Sequence, residues 1–236
     1  MSNIRKAFLN GKAFIPFITC GDPDLESTKR YVRAMAAAGA DLIELGIPFS
    51  DPTAEGPVIQ AANLRALSGG VTTDSVFQMV RELRAELTTP LVFMTYANVV
   101  FSYGIEKFVS KAEAAGIDGI IIPDVPFEES AEFAPSFESR GIDYISMIAP
   151  TSKERIREIA AKAKGFLYVV SSLGVTGERQ EIETDLKSML AQVRAAKPEL
   201  PAAIGFGIST PEQAKSMGAI ADGVIVGSAI MRIIGE

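Results

Sequence analysis

Short apolar runs recur along the chain, separated by longer stretches in which apolar and charged residues mix at helical spacing. The runs are Phe14 to Thr19, Leu42 to Leu45, Leu91 to Thr95, Gly119 to Ile122, Tyr144 to Ile148, Phe166 to Val170, Ala202 to Gly205 and Gly223 to Val226. They show little polar alternation, which predicts strands buried on both faces. Between them the pattern predicts helices. One reaches Ala38 from Asp22-Pro23, which supply an N-cap and a first-turn proline. Others run from Thr73 to Leu87, Ile105 to Ala115, Glu129 to Arg140, Ser152 to Lys164 and Ile182 to Ala196, and a last one opens at Thr210-Pro211 with Gln213. Thr151, with Glu154 three residues on, reads as a capping box.

The joins from helix to strand resemble one another. Gly39-Ala40-Asp41, Gly116-Ile117-Asp118 and Gly141-Ile142-Asp143 each precede a strand, and a looser version runs from Gly218 to Asp222. Glycine at a helix C-terminus supplies a left-handed cap, so these joins are short. The long connections lie on the other side, after strands: Gly46 to Pro57, Tyr96 to Gly104 and Ser171 to Glu181. Eight strand–helix units favour a closed parallel (β/α)8 TIM barrel over an open doubly wound sheet. No linker or charge block divides the chain, so residues 1–236 read as one barrel domain with its functional mouth at the C-terminal ends of the strands.

Composition narrows the chemistry. The chain of 236 residues has 47% hydrophobic content, enough for a large core. A formal charge of −6, with Lys and Arg scattered singly, argues against nucleic-acid and polybasic membrane partners. No apolar run approaches a membrane span, and Lys12 breaks the N-terminal apolar residues, so the expected location is cytoplasmic. There is no His and a single Cys, Cys20, which excludes disulfides, Cys/His zinc sites and His-based triads. Acid–base work falls to Asp, Glu, Tyr or Lys.

Glu44 stands inside a buried run between Ile43 and Leu45, where a carboxylate either stays protonated or finds a partner. Asp51 and Glu55 follow in the loop, and Glu55 reads equally as a solvated loop charge or a catalytic one. After the last three strands come Gly174-Val175-Thr176-Gly177, Gly205-Phe206-Gly207-Ile208 and Gly227-Ser228-Ala229-Ile230. Glycines let backbone N–H groups approach an anion, and Gly227-Ser228 opens a helix, so together they describe a phosphate cup facing Glu44. The expected substrate is a small phosphorylated molecule. Tyr96, Asp124, Tyr144 and Tyr168 also lie near strand ends. Tyr168 reads as core packing or substrate contact, and Asp124 as a pocket acid or a loop-fixing one.

Glu-Leu-Gly-Ile-Pro-Phe-Ser-Asp-Pro from Glu44, Met-Thr-Tyr-Ala-Asn from Met94, Asp-Val-Pro-Phe-Glu-Glu-Ser from Asp124, Gly-Val-Thr-Gly from Gly174, Gly-Phe-Gly-Ile-Ser from Gly205 and Gly-Ser-Ala-Ile from Gly227 together resemble the tryptophan synthase α subunit family, in order and over essentially the whole chain. The resemblance implies a lyase that cleaves indole-3-glycerol phosphate to indole and glyceraldehyde 3-phosphate without metal or organic cofactor. It also implies an α2β2 complex with a β subunit that uses pyridoxal phosphate. Glu44 matches the family's catalytic glutamate, and the second catalytic acid, an aspartate in the family, falls on Glu55. By the same matching Tyr168, Thr176, Gly177, Gly205, Phe206, Gly207, Gly227 and Ser228 surround the glycerol phosphate. Phe17, Thr19, Tyr96, Ile122 and Asp124 lie around the indole end or support the carboxylate.

Three departures stand out. Glu55 is a methylene longer than the family residue, Ser172-Leu173 replaces an arginine common in the loop after the sixth strand, and the family's closing helix has no counterpart before Glu236. With Glu55 as the mark of relaxed chemistry, the alternative reading is a catalytically weakened α-like subunit that mainly binds and activates a β subunit.

Overall fold

The computed structural model describes residues 2–152, 154–171 and 179–235. The first half of the chain runs α1 (Asn3–Lys6), β1 (Ala13–Thr19), α2 (Leu25–Ala37), β2 (Ile43–Gly46), α3 (Pro57–Ser68), α4 (Thr73–Arg84), β3 (Leu91–Met94), α5 (Ala97–Tyr103) and α6 (Ile105–Ala115). The second half runs β4 (Gly119–Ile121), α7 (Ala134–Glu138), β5 (Asp143–Tyr144), β6 (Met147–Ile148), α8 (Ile156–Lys162), β7 (Leu167–Val170), α9 (Arg179–Ala196), β8 (Ala202–Gly205), α10 (Pro211–Ile220), β9 (Gly223–Val226) and α11 (Ser228–Gly235). Among the described residues no helix is long and apolar enough to cross a membrane.

The strands pair in parallel in the order β5-β4-β3-β2-β1-β9-β8-β7-β6. The two end strands are halves of one extended run, Asp143 to Ile148, that turns at Ile145 and Ser146. Ile145 N–H donates to Ile120 O at 2.9 Å and Ser146 O accepts from Tyr168 N–H at 3.0 Å. One run therefore bonds both neighbours, and the sheet closes as an eight-fold barrel, as the apolar runs predict. β2, β3, β8 and β9 are buried along their whole length. One core fills the barrel and its first helices; a second packs Ile156, Ile159, Leu186, Leu190 and Val193 of α8 and α9 against Leu167 and Val169. Side chains on both faces of these strands thus leave water, which explains the absence of alternation.

The short joins do more than turn the chain. Asp41, Asp118 and Asp222, each at the entrance to one strand, reach sideways to the strand before it in the barrel. Their Oδ2 atoms accept from Phe14 N–H at 2.8 Å, Leu91 N–H at 2.9 Å and Ala202 N–H at 3.0 Å. Asp118 is also paired with Arg84, whose guanidinium donates to Gly116 O and Thr89 O, so one cluster ties α4, the join and two strands. Gly116 and Gly141 take positive φ as the joins require, at 81° and 73°.

Several local expectations are corrected. Asp22-Pro23 does not open α2; the cap is Asp24, accepting from Ser27 N–H at 2.6 Å, while Asp22 is buried against Arg65. Thr151 and Glu154 form no capping box, because Thr151 sits in a single 3-10 turn, Pro150–Ser152, and α8 starts only at Ile156. The helix expected from Glu129 is a 3-10 segment, Phe127–Glu132, followed by the short α7. Tyr96 to Gly104 is mostly the helix α5, and Gly218 lies inside α10. The box at Thr210 and Gln213 is present.

Removing the Asp118 carboxylate leaves a partly buried guanidinium and a strand N–H without their acceptor. Asp118→Ala is expected to lower unfolding free energy by about 3 kcal/mol, read as a lower urea midpoint at unchanged m value.

Candidate active site

β2 places Glu44 in the barrel wall. It pairs with Phe17 of β1 on one side and Val92 of β3 on the other, so its backbone is held by ladders on both sides. Its side chain has no exposed surface, and neither carboxyl oxygen has a hydrogen-bond partner. Burial pushes its pKa up to about 8 from an ordinary 4.5. The carboxyl is therefore neutral over most of the physiological range and close to the point at which it can also take a proton.

Glu44 lines a cleft at the C-terminal ends of the strands. Phe17, Met94, Tyr168 and Ile225 form the walls, and the loops after β2, β8 and β9 form the rim. On the glycine side, Gly205 exists for Tyr168: a Cβ there would lie 2.3 Å from the tyrosine oxygen. The Tyr168 ring also meets Phe206 edge-on at 6.1 Å. Phe206 and Gly207 both take left-handed backbone, φ 74° and 72°, which turns this loop over the cleft. Gly227 and Ser228 line the same side, and α11 begins at Ser228. First-turn amides of a helix of this kind have no intrahelical acceptor and favour an anion.

The opposite rim carries Glu55, half-buried, just before Gly56 and Pro57 open α3. Its Oε2 accepts from Asn63 Nδ2 at 2.6 Å and its backbone O from Gln60 Nε2 at 2.7 Å. Burial raises the Glu55 pKa, while the bonds from Asn63 and the Tyr96 hydroxyl pull it back. Tyr96 itself is buried, and its hydroxyl oxygen accepts from Ala54 N–H at 3.3 Å.

Of the residues expected from sequence, Phe17, Glu44, Glu55, Tyr168, Phe206, Gly207, Gly227 and Ser228 meet in this cleft. Gly205 stands behind Tyr168 and Tyr96 behind Ala54 and Glu55 rather than on the surface of the cleft. Thr19 is buried with its N–H on Met231 Sδ at 3.3 Å and its hydroxyl unpartnered. Asp124 accepts from Ala97 N–H at 3.0 Å and so holds the start of α5, its loop-fixing reading. Ile122 lines a second cleft beside Tyr144. Thr176 and Gly177 lie outside the described residues. Sequence reasoning missed Met94, Ile225 and Ile59, whose apolar character alone marks core; the signal was their place at strand ends and at the start of α3. It also missed Asn63, which sits in a helix the pattern of prolines and glycines concealed.

A closed parallel barrel with a cleft at this end, acids on one side and a glycine-rich helix start on the other, defines a (β/α)8-barrel enzyme. A family model described as "Tryptophan synthase alpha chain" matches residues 4–236. A relative of the same name from Lacticaseibacillus casei is 51% identical over 236 residues, covering 100% of this chain and 88% of its own. The chain belongs to the tryptophan synthase alpha chain family, lyases of tryptophan biosynthesis that cleave indole-3-glycerol phosphate. Among solved structures, the α subunit from Campylobacter jejuni superposes with TM-score 0.92 at 36% identity, over 100% of this chain and 94% of that one. A chain of the tryptophan synthase α2β2 complex from Pyrococcus furiosus gives TM-score 0.85 at 39% identity, over 95% and 91%.

The raised Glu44 pKa has a consequence for stability. Between pH 4.5 and about 8 the folded carboxyl keeps a proton that the unfolded one has lost, so stability falls as pH rises through that window. Relative to Glu44→Gln, the native protein is expected to lose stability there at a slope approaching about 1.4 kcal/mol per pH unit, and to run parallel to it below and above. Urea unfolding at a series of pH values measures the difference.

Proposed function

We propose that Glu44 carries the proton in the cleavage of indole-3-glycerol phosphate and that Glu55 steadies the indole nitrogen. The observation that supports this most is a fully buried carboxyl, free of protein partners, lining the cleft with a pKa near neutrality. The retro-aldol step needs one proton delivered to the ring carbon that bears the side chain and one removed from the adjacent side-chain hydroxyl. Neutral Glu44 delivers the first and, as carboxylate, takes the second; the carbon–carbon bond breaks and its electron pair returns to the ring. The count of protons on Glu44 is unchanged at the end. Positive charge that develops on the ring nitrogen is met by ionised Glu55 through the N–H.

Gly207, Gly227 and Ser228 are assigned to the phosphate, with the α11 amides as donors. Phe17, Met94, Ile59 and Tyr168 supply the apolar walls for the ring and the chain between its ends. Thr176 and Gly177 remain assigned to the phosphate side by their motif. The working form we propose is a cytoplasmic α2β2 complex with a pyridoxal-phosphate β subunit. Leu64 of α3 and Phe101 of α5, both largely exposed on helices that start at the mouth, offer that partner apolar surface.

Purified protein is expected to release indole from indole-3-glycerol phosphate, slowly alone and faster with its β subunit. Glu44→Gln is expected to lower turnover by at least about a thousandfold while still stimulating β, which an indole-release assay and a β assay separate. Near-native turnover in Glu44→Gln overturns the assignment. Because neutral Glu44 starts the reaction, kcat/KM is also expected to fall above pH 8, with the apparent pKa of that limb near the value burial imposes.

A further inference from the structure

Among the described residues lining the cleft there is no lysine or arginine, so nothing cationic fixes the direction of its second acid. A glutamate there has three side-chain torsions, and a carboxylate misplaced by about an ångström costs on the order of a hundredfold in rate. Asn63 answers that problem. It lies within α3, 4% exposed, and its Nδ2 is 2.6 Å from Glu55 Oε2. Gln60, three residues earlier on the same helix, holds the Glu55 backbone oxygen, so α3 grips this residue at both ends. The helix is itself anchored: Arg65 makes two bonds to buried Asp22, at 2.8 and 2.7 Å, which fastens α3 to the loop after β1.

We infer that Asn63 is the positioning residue of the second acid, its amide holding one oxygen of Glu55 so that the other faces the indole nitrogen. The inference rests on the role proposed above for Glu55. The amide also works electrostatically, since burial raises the Glu55 pKa and the bond from Asn63 is the largest influence lowering it. The other titratable groups facing this rim are Tyr96, whose hydroxyl also hydrogen-bonds Glu55 and lowers its pKa less than Asn63 does, Glu44 across the cleft and, through Tyr96, Asp124; none offsets burial as a charge.

Two substitutions test it. Asn63→Ala is expected to lower kcat about tenfold or more with KM within about twofold, and to move the acid limb of kcat to higher pH. Asn63→Asp keeps the shape of the side chain and places two carboxyls on one hydrogen bond. While they share a proton the aspartic acid donates as the amide did; once that proton leaves, the pair repels. Its kcat is therefore expected to approach native values at acid pH and to fall about tenfold or more as pH rises, with KM within about twofold. Native pH profiles in both Asn63 variants, alongside an inactive Glu55→Gln, overturn the tether and leave the role of Glu55 intact. A loss equal at every pH and matched by loss of folded protein in thermal unfolding also overturns it, as a purely structural effect. Unimpaired turnover in Glu55→Gln overturns the role of Glu55 and the inference with it.

Discussion

A carboxyl group without a hydrogen-bond partner in the wall of a barrel is the constraint on which the rest of this structure turns. Glu44 loses its hydration on folding and receives nothing from the protein in return, so its strand must be secured by everything else. Both edges of β2 are in register with parallel neighbours, and Ile43 and Leu45 are fully buried on the other face. The carboxyl meets the remaining cost by staying protonated, far cheaper than burying the ion. What burial makes expensive for stability is thus the same property that makes the group a proton donor near neutral pH.

The two acids of the cleft are held on opposite principles. Glu44 is rigid through its backbone and chemically unattached, free to change protonation state as a substrate requires. Glu55 comes from a loop, and its geometry is imposed by Gln60 and Asn63, one and two turns into α3. Burial raises the pKa of both groups, and only at Glu55 do neutral donors, Asn63 and then Tyr96, pull it back. With no cation on the cleft surface among the described residues, these two devices set where protons reside.

Sequence pattern located most of this because strands and glycine turns are short-range features. Ala202 to Gly205 and Gly223 to Val226 were legible to the residue, and Glu44 was conspicuous as a charge in an apolar run. Two of the departures from the local pattern share a cause, a local signal outbid by a distant partner. Asp22 followed by proline looks like a cap, yet its carboxylate is taken by Arg65, forty-three positions on. Asp124 belongs to α5 in space, although the stretch after Tyr96 reads as loop until that carboxylate is in place. Asn63 carried no signal at all, since an asparagine in a helix acquires its meaning only when the loop folds back on it. The single run Tyr144 to Ile148 likewise gave no hint that it would divide its bonds between two neighbours to close the ring.

The aspartates at the strand entrances lend this barrel a particular evolutionary freedom. Asp41, Asp118 and Asp222 bind strand to strand at the end remote from the cleft, and no residue of the cleft takes part in those bonds. Loops at the mouth can therefore exchange residues without breaking the bonds that hold the opposite end together. Position 55, held at the mouth by Gln60 and Asn63 of α3, is a place where such an exchange leaves the closed end of the barrel untouched.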